Sequence, residues 1–274
     1  MIGVPTLAVS GSSGAVSVHH NSADTLNRVD ARSLRDLSSI LAAWLYSLAT
    51  AGDREIPWLA EITVDRAYEN AIRAAAPDLD RIAAETRLNG VTAGLHDGLA
   101  QVAYNLDRDR QALISVDRLA SSGRGGEVRA GLEPWLRRIG RFAEEQSARL
   151  QEAADHRARQ LGASVPPGAT VHANVPEGPA RPEDKSRAEA ARMVVTRKRF
   201  GPVTLDDLPV GERQGYPGFG GNPAPLPLLL WCDGHRTLAE VIRLVELEHG
   251  RMNFDFVGYF KFLASHGYVD IAVR

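Results

Sequence analysis

Apolar residues recur every three or four positions along residues 30–51, and this period predicts an amphipathic helix. Asp30 is a suitable N-cap residue, and Gly52 marks the end of the pattern. The stripe consists of Leu34, Leu37, Leu41, Trp44 and Leu48, and it is widened by Ile40 and Leu45. A stripe of this width is typical of a helix face that packs in a core.

Residues 53–162 carry further helical periods separated by short breaks. Three apolar faces stand out: Val64, Tyr68, Ala71, Ile72 and Ala75; Val91, Leu95, Leu99, Val102 and Leu106; and Val128, Leu132, Trp135, Leu136, Ile139 and Phe142. Pro77 is expected to interrupt the first helix, and the charged run 107–110 is expected to form a turn or kink. The glycine-rich run 121–126 predicts a clear break. Aliphatic stripes with short breaks predict an antiparallel helical bundle.

The composition changes between residues 163 and 191, where proline and glycine become frequent. Such a segment cannot build a core, and it predicts an interdomain linker. The end of this segment, from Glu183 to Arg192, is compatible with a short helix.

Residues 192–274 predict a small domain that contains both helices and strands. Strand patterns appear at 193–196 and 268–273, and helices are expected at 226–231, after Thr237, and at 254–265. Thr237 and Glu240 have the spacing of a capping box, and Gly250 and Gly267 end the second and third helices. Three short helices followed by a strand resemble a winged-helix fold.

Length and composition favour an ordinary globular protein of about two domains. Over 274 residues, 44% are hydrophobic and 24% are charged, with a formal net charge of −2. The near-neutral charge gives no general attraction to nucleic acid or to an anionic membrane. The single cysteine, Cys232, excludes an intramolecular disulfide and favours a cytoplasmic location. No apolar run approaches the length of a membrane-spanning helix, so no membrane partner is expected. Because the net charge is near neutral, no nucleic-acid partner is expected either.

The residues that carry candidate chemistry lie just before the first predicted helix. His20 follows an apolar, strand-like run, Asp24 stands four residues later, and Thr25 comes next. A histidine that binds a metal commonly needs an acceptor such as a carboxylate to orient its ring. The pattern His20-x-x-x-Asp24-Thr25, followed by Val29-Asp30 and an amphipathic helix, resembles the last zinc-ligand motif of the M28 family of zinc aminopeptidases. The segment Gly3-Val4-Pro5-Thr6-Leu7 resembles that family's Gly-x-Pro segment.

This resemblance implies that His20 binds zinc, that Asp24 orients its imidazole, and that the substrate is a peptide cleaved at its N-terminus. The family's other ligands, a His, two Asp and a pair of Glu, lie upstream, yet the residues before His20 contain neither Asp nor Glu. The family's general base, a Glu, therefore has no candidate here. Residues 1–52 are predicted to be the truncated end of an α/β peptidase domain, and the chain alone is expected to be inactive. In the family, the helix after the motif packs on the catalytic sheet.

An alternative from another class is a non-catalytic helical and winged-helix-like module for protein interaction or regulation. A winged helix that reads DNA brings Arg, Lys, Asn or Gln to the duplex on its third helix. Between Phe254 and Ser265 there is one such residue, Lys261, and only the run 197–199 adds basic support. A packing or protein-interaction role is therefore favoured. Without the missing sheet, residues 1–52 are expected to be covered by a partner or by a homo-oligomer.

Overall fold

The computed structural model of the chain describes residues 30–165, 185–199, 203, 205–217, 225–250, 252 and 254–274. These residues are mainly helical, with one small antiparallel sheet of three strands. They form two units, a helical unit within 30–165 and a mixed unit within 185–274. None of the described helices is both long enough and apolar enough to cross a membrane.

The helical unit consists of α1 (Ala31–Thr50), α2 (Ile56–Ala84), α3 (Leu88–Ile114) and α4 (Gly125–Gln160), with a 3-10 helix at Ser115–Leu119. Each of α2, α3 and α4 packs against the other two. The apolar stripes predicted for this region line two clusters in their interior, except that Ile72, predicted on the first face, is 50% exposed. One contains Ala75, Ile82, Val91, Leu95, Leu99, Leu150 and Ala154, and the other contains Ala60, Val64, Leu113, Leu132, Leu136 and Ile139.

Two predicted interruptions of these helices were wrong. Pro77 lies inside an unbroken α2. A proline costs about 3 kcal/mol within a helix, but Ala75 and Ile82 on either side of it are completely buried, so tertiary packing outweighs the local cost. The run 107–110 lies inside α3. Continuing the helix through this run keeps Leu113 on the buried face, and Asp109 accepts a hydrogen bond from Asn70 of α2 at 2.9 Å.

A glycine and one partly buried arginine set the spacing between α2 and α3. A Cβ added at Gly94 would lie 2.9 Å from Ile82 of α2, so only glycine allows this approach. Arg81 of α2 reaches across to α3, where its guanidinium donates to the Asp97 carboxylate at 3.1 Å and to the Gly94 carbonyl at 3.2 Å. Asp78 lies 2.6 Å from the same guanidinium. The arginine therefore ties the two helices at a defined register.

The mixed unit contains α5 (Lys185–Ala190), β1 (Met193–Arg197), α6 (Pro225–Trp231), β2 (Asp233–Thr237), α7 (Leu238–His249), α8 (Phe256–Ser265) and β3 (Val269–Val273). Strand β1 lies in the middle and pairs antiparallel with both neighbours. Its core includes Met193, Val195, Leu228, Leu238, Val241, Val245, Tyr259, Phe260 and Leu263. Ala190 is also buried in this core, so α5 is part of the unit although its residues fall in the predicted linker 163–191.

Helix ends in the mixed unit follow the predicted local signals. Thr237 and Glu240 form a complete capping box at the start of α7. Gly250 and Gly267 follow α7 and α8 with φ values of 84° and 75°, a left-handed backbone that favours glycine. Helix α8 starts at Phe256, two residues later than predicted, because the Asp255 side chain accepts the hydrogen bond of the Gly258 amide at 2.8 Å. Strand β2 was not predicted.

Candidate functional site

The predicted zinc site lies outside the described residues. His20, Asp24 and the segment 3–7 all fall within residues 1–29, so the assignment of His20 as a ligand and of Asp24 as its orienting group stays a prediction. Helix α1, which the resemblance places directly after this motif, is described. The Asp30 carboxylate accepts a hydrogen bond from the Arg32 amide at 3.0 Å, which confirms the predicted N-cap.

The described part of the chain does not fit a zinc ion. It contains no group of three or more His, Cys, Asp or Glu side chains that could hold a metal. Cys232 is buried, and burial raises the pKa of its thiol to about 12, so the thiol stays protonated near neutral pH. His156 is exposed on α4 and contacts Gln160. No zinc-dependent step can therefore be assigned to the described residues.

The most unusual described feature is the apolar stripe of α1, which we call the α1 seam. It comprises Leu34, Leu37, Leu41, Trp44 and Leu48, flanked by Ile40 and Leu45. The sequence predicted a core face, but no residue of α1 is buried within the described structure. Five of the seven side chains are exposed, from 42% at Trp44 to 67% at Ile40, and Leu37 and Leu41 are partly exposed. Exposed apolar patches of this kind mark interaction sites in folded proteins.

The opposite side of α1 is polar and satisfies its own hydrogen bonds. The hydroxyls of Ser39 and Thr50 donate to carbonyls one turn earlier at 2.8 Å. Arg35 pairs with the neighbouring Asp36 at 2.7 Å. Because the polar side is solvated, the seam is the side of α1 that gains by binding a partner.

A polar anchor holds the short connection between α1 and α2 to the start of α4. The Asp53 carboxylate accepts hydrogen bonds from the Ser121 amide at 2.9 Å, from the Ser121 hydroxyl at 2.7 Å and from the Arg124 guanidinium at 2.8 Å. The hydrogen bond donated by the Ser121 backbone amide is the largest cause that lowers the pKa of Asp53. The C-terminal end of α1 is therefore attached to the bundle at a defined point.

Replacing Asp53 by asparagine should loosen this anchor. The pKa of Asp53 is lower in the folded chain than in the unfolded chain. The stability that the ionised carboxylate contributes is therefore complete above the unfolded-state pKa and is lost as pH falls through the folded-state pKa. We therefore expect the Ser121 amide to be less protected in Asp53→Asn, and its protection factor, which corrects for the intrinsic pH dependence of exchange, to fall in the unmodified chain on acidification below about pH 4. Hydrogen exchange measured by NMR or mass spectrometry checks this. Asp65→Asn, on the exposed side of α2, should leave exchange at Ser121 unchanged; equal effects would contradict the anchor.

Helix α2 exposes a second set of apolar side chains, Trp58, Ile62 and Ile72. At helical spacing they share one side with Asp65 and Glu69, and Glu69 accepts a hydrogen bond from Arg66 at 2.9 Å. This side of α2 therefore carries both apolar and acidic side chains, whereas the α1 seam is apolar.

The basic run that offered support for DNA binding is engaged with acidic side chains. Lys198 lies 2.7 Å from the Asp270 carboxylate of β3, and the Arg199 guanidinium donates to Asp207 at 2.7 Å. Asp207 also accepts a hydrogen bond from the Tyr268 hydroxyl, which is the largest cause that lowers its pKa. These side chains hold the chain after β1 to the start of β3, so their charges are balanced within the unit.

Lys261, the basic residue of α8, lies 2.6 Å from Glu189 of α5, which balances its charge within the same unit. Comparison with known proteins adds no assignment: no family model, no curated protein and no solved structure matches this chain.

Proposed function

We propose that this chain is the non-catalytic, C-terminal part of an M28-like zinc-dependent aminopeptidase, and that α1 is its interaction element. The observation that carries the proposal is the seam on the helix that follows His20-x-x-x-Asp24-Thr25, a face that no described residue buries. In the family, the helix in that position packs on the catalytic sheet, and the exposed seam of α1 is the apolar face that would make such a contact or bind a partner. Helices α2–α4 and the mixed unit bury their own cores and need no such partner.

In this proposal, His20 binds one zinc ion and Asp24 accepts the hydrogen bond that orients its imidazole. Zinc would activate a water molecule for attack on the peptide carbonyl. The other ligands and the general base belong to another segment, because the residues before His20 contain neither Asp nor Glu. The chain alone is therefore inactive toward peptides. A single cysteine suits a cytoplasmic protein.

The mixed unit is the accessory module in this proposal. Its order of α6, β2, α7, α8 and β3, with β1 completing the sheet, supports a winged-helix-like fold. Its role is contact with protein rather than DNA, because Lys198, Arg199 and Lys261 are each paired with a carboxylate. Phosphate binding would have to break these pairs. The same pairing also favours the second candidate function, a non-catalytic interaction or regulatory module with no relation to a peptidase.

The test that separates these functions is the dependence of zinc binding and activity on His20. The coding sequence upstream of the Met1 codon is read in frame, and the extended protein is expressed with His20→Ala and, as a control, with His156→Ala. We expect upstream His, Asp and Glu ligands, about two zinc ions per chain, and hydrolysis of an aminoacyl p-nitroanilide. His20→Ala should lower zinc affinity or activity by at least 10- to 100-fold, because the loss of a ligand commonly costs that much.

His156→Ala should retain both zinc and turnover, because this histidine is exposed on α4. An upstream sequence without ligand residues would contradict the peptidase proposal and favour the independent module. So would a His20→Ala protein with unchanged zinc content and turnover. Two zinc ions with turnover in the 274-residue chain itself would contradict the non-catalytic assignment.

A further inference from the structure

The α1 seam has the period of a helix–helix interface. Its members, Leu34, Leu37, Leu41, Trp44 and Leu48, alternate in spacing between three and four residues, which is the heptad spacing of a coiled-coil seam. Positions beside the seam are filled by Ser33, Ser38, Ile40, Leu45 and Ser47. None of these flanking residues is charged, so two identical helices can approach along this face without repulsion between like charges.

The charged residues of α1 fall elsewhere on its surface. Arg32, Arg35 and Asp36 occupy outer positions of the heptad, away from the seam. Arg35 and Asp36 pair with each other, and Arg32 lies 3.6 Å from Asp30. Two copies of α1 can therefore pair without burying a charge, a burial that would be costly in an apolar interface.

The nearest alternative within the chain is a poor match. The outer side of α2 offers Trp58, Ile62 and Ile72, but Asp65 and Glu69 stand between them on the same side. Closing the seam over this side would desolvate two carboxylates against leucines that offer no hydrogen bond.

We infer that the α1 seam binds a second copy of the same helix, so that the chain forms a homodimer through α1. This inference rests on the proposed role of α1 as the interaction element, and it names the partner. Seven half-exposed or partly exposed apolar side chains from each copy would bury roughly 1,000 Å² in total, at the lower limit of specific protein interfaces. The expected dimer is therefore reversible, with a dissociation constant on the order of micromolar.

The test is sedimentation equilibrium of the 274-residue chain between about 1 and 100 µM, bracketing the expected constant. The variant Leu41→Glu/Leu48→Glu places two carboxylates on the seam. The matched control Ser39→Glu/Tyr46→Glu places two carboxylates with the same spacing on the opposite, exposed side. Because α1 is not buried, none of these changes disturbs a described core, and circular dichroism verifies the helix content.

We expect a monomer–dimer equilibrium for the unmodified chain and for the control variant. The seam variant should dissociate at least 10-fold more readily, because pairing would bury four carboxylates. An unmodified chain that stays monomeric at the highest concentration overturns the inference, and so does a seam variant that dimerises as well as the control. A monomer whose Trp44 is shielded from acrylamide quenching would overturn it in favour of an intramolecular cover. None of these results depends on zinc or on peptidase activity, so the proposed peptidase relationship is tested separately.

Discussion

Replacing Phe260 by alanine is expected to lower the free energy of unfolding of the mixed unit by about 3–5 kcal/mol. Phe260 is completely buried in α8, next to Tyr259 at a ring-centroid distance of 5.1 Å, and it belongs to the core shared by α7 and the sheet. Removing the ring leaves a cavity among closely packed neighbours, which can relax only partly to fill it. Urea denaturation measures the loss, and hydrogen exchange of the α7 amides locates it in the mixed unit.

Lys261→Ala is the matched control, because the two residues are adjacent in the same helix. Lys261 is exposed, and its ion pair with Glu189 is expected to contribute at most about 1 kcal/mol. If both substitutions destabilise the unit equally, Phe260 is not a core residue and the packing of α8 described here is incorrect.

A valine in place of Gly98 is expected to destabilise the helical unit by about 3 kcal/mol. A Cβ at this position would lie 2.9 Å from a methyl carbon of Leu150 in α4 and 3.0 Å from the Cβ of Asp78 in α2. Leu150 is completely buried, so it cannot move aside without disturbing its own contacts. Both neighbouring helices would therefore be pushed away from α3.

Gly140→Val provides the control for this substitution, because Gly140 also lies inside a long helix. A Cβ there meets no described atom within 4 Å, so the change should shift stability by no more than about 0.5 kcal/mol. Thermal or urea denaturation of the two variants gives the comparison. Similar stabilities would show that Gly98 is not a point of close helix contact.

The candidate chemistry of this chain rests on the resemblance of one motif alone. His20 and Asp24 stand in a recognisable pattern, but a zinc site is completed by ligands distant in sequence. The described residues contain no group of three or more candidate ligands. The seam of α1 was predictable from its spacing, since the pattern depends only on the helical period. Whether that face is buried was not predictable, because burial depends on which other elements reach it.

Local signals determined much of the fold. The N-cap at Asp30, the capping box at Thr237 and the glycines at 250 and 267 place helix ends through contacts within a few residues, so the sequence by itself was sufficient there. The same holds for the apolar stripes of α3 and α4, whose period is local. The tertiary structure decided the features that local rules misassign: Pro77, itself exposed, stays inside α2 because Ala75 and Ile82, which precede and follow it in the helix, are buried in the bundle core.

Strand β2 is a second element that the local sequence pattern does not predict. Asp233–Thr237 is polar, contains glycine and has no strand pattern of its own, yet it is a strand because β1 offers it a hydrogen-bonding edge. Conversely, the exposure of the α1 seam follows from the absence of a covering element among the described residues, which no pattern within α1 can encode. Sequence alone therefore determined helix periods, helix ends and the motif around His20, whereas long-range packing decided which breaks are real, which polar segment pairs, and which apolar face remains open.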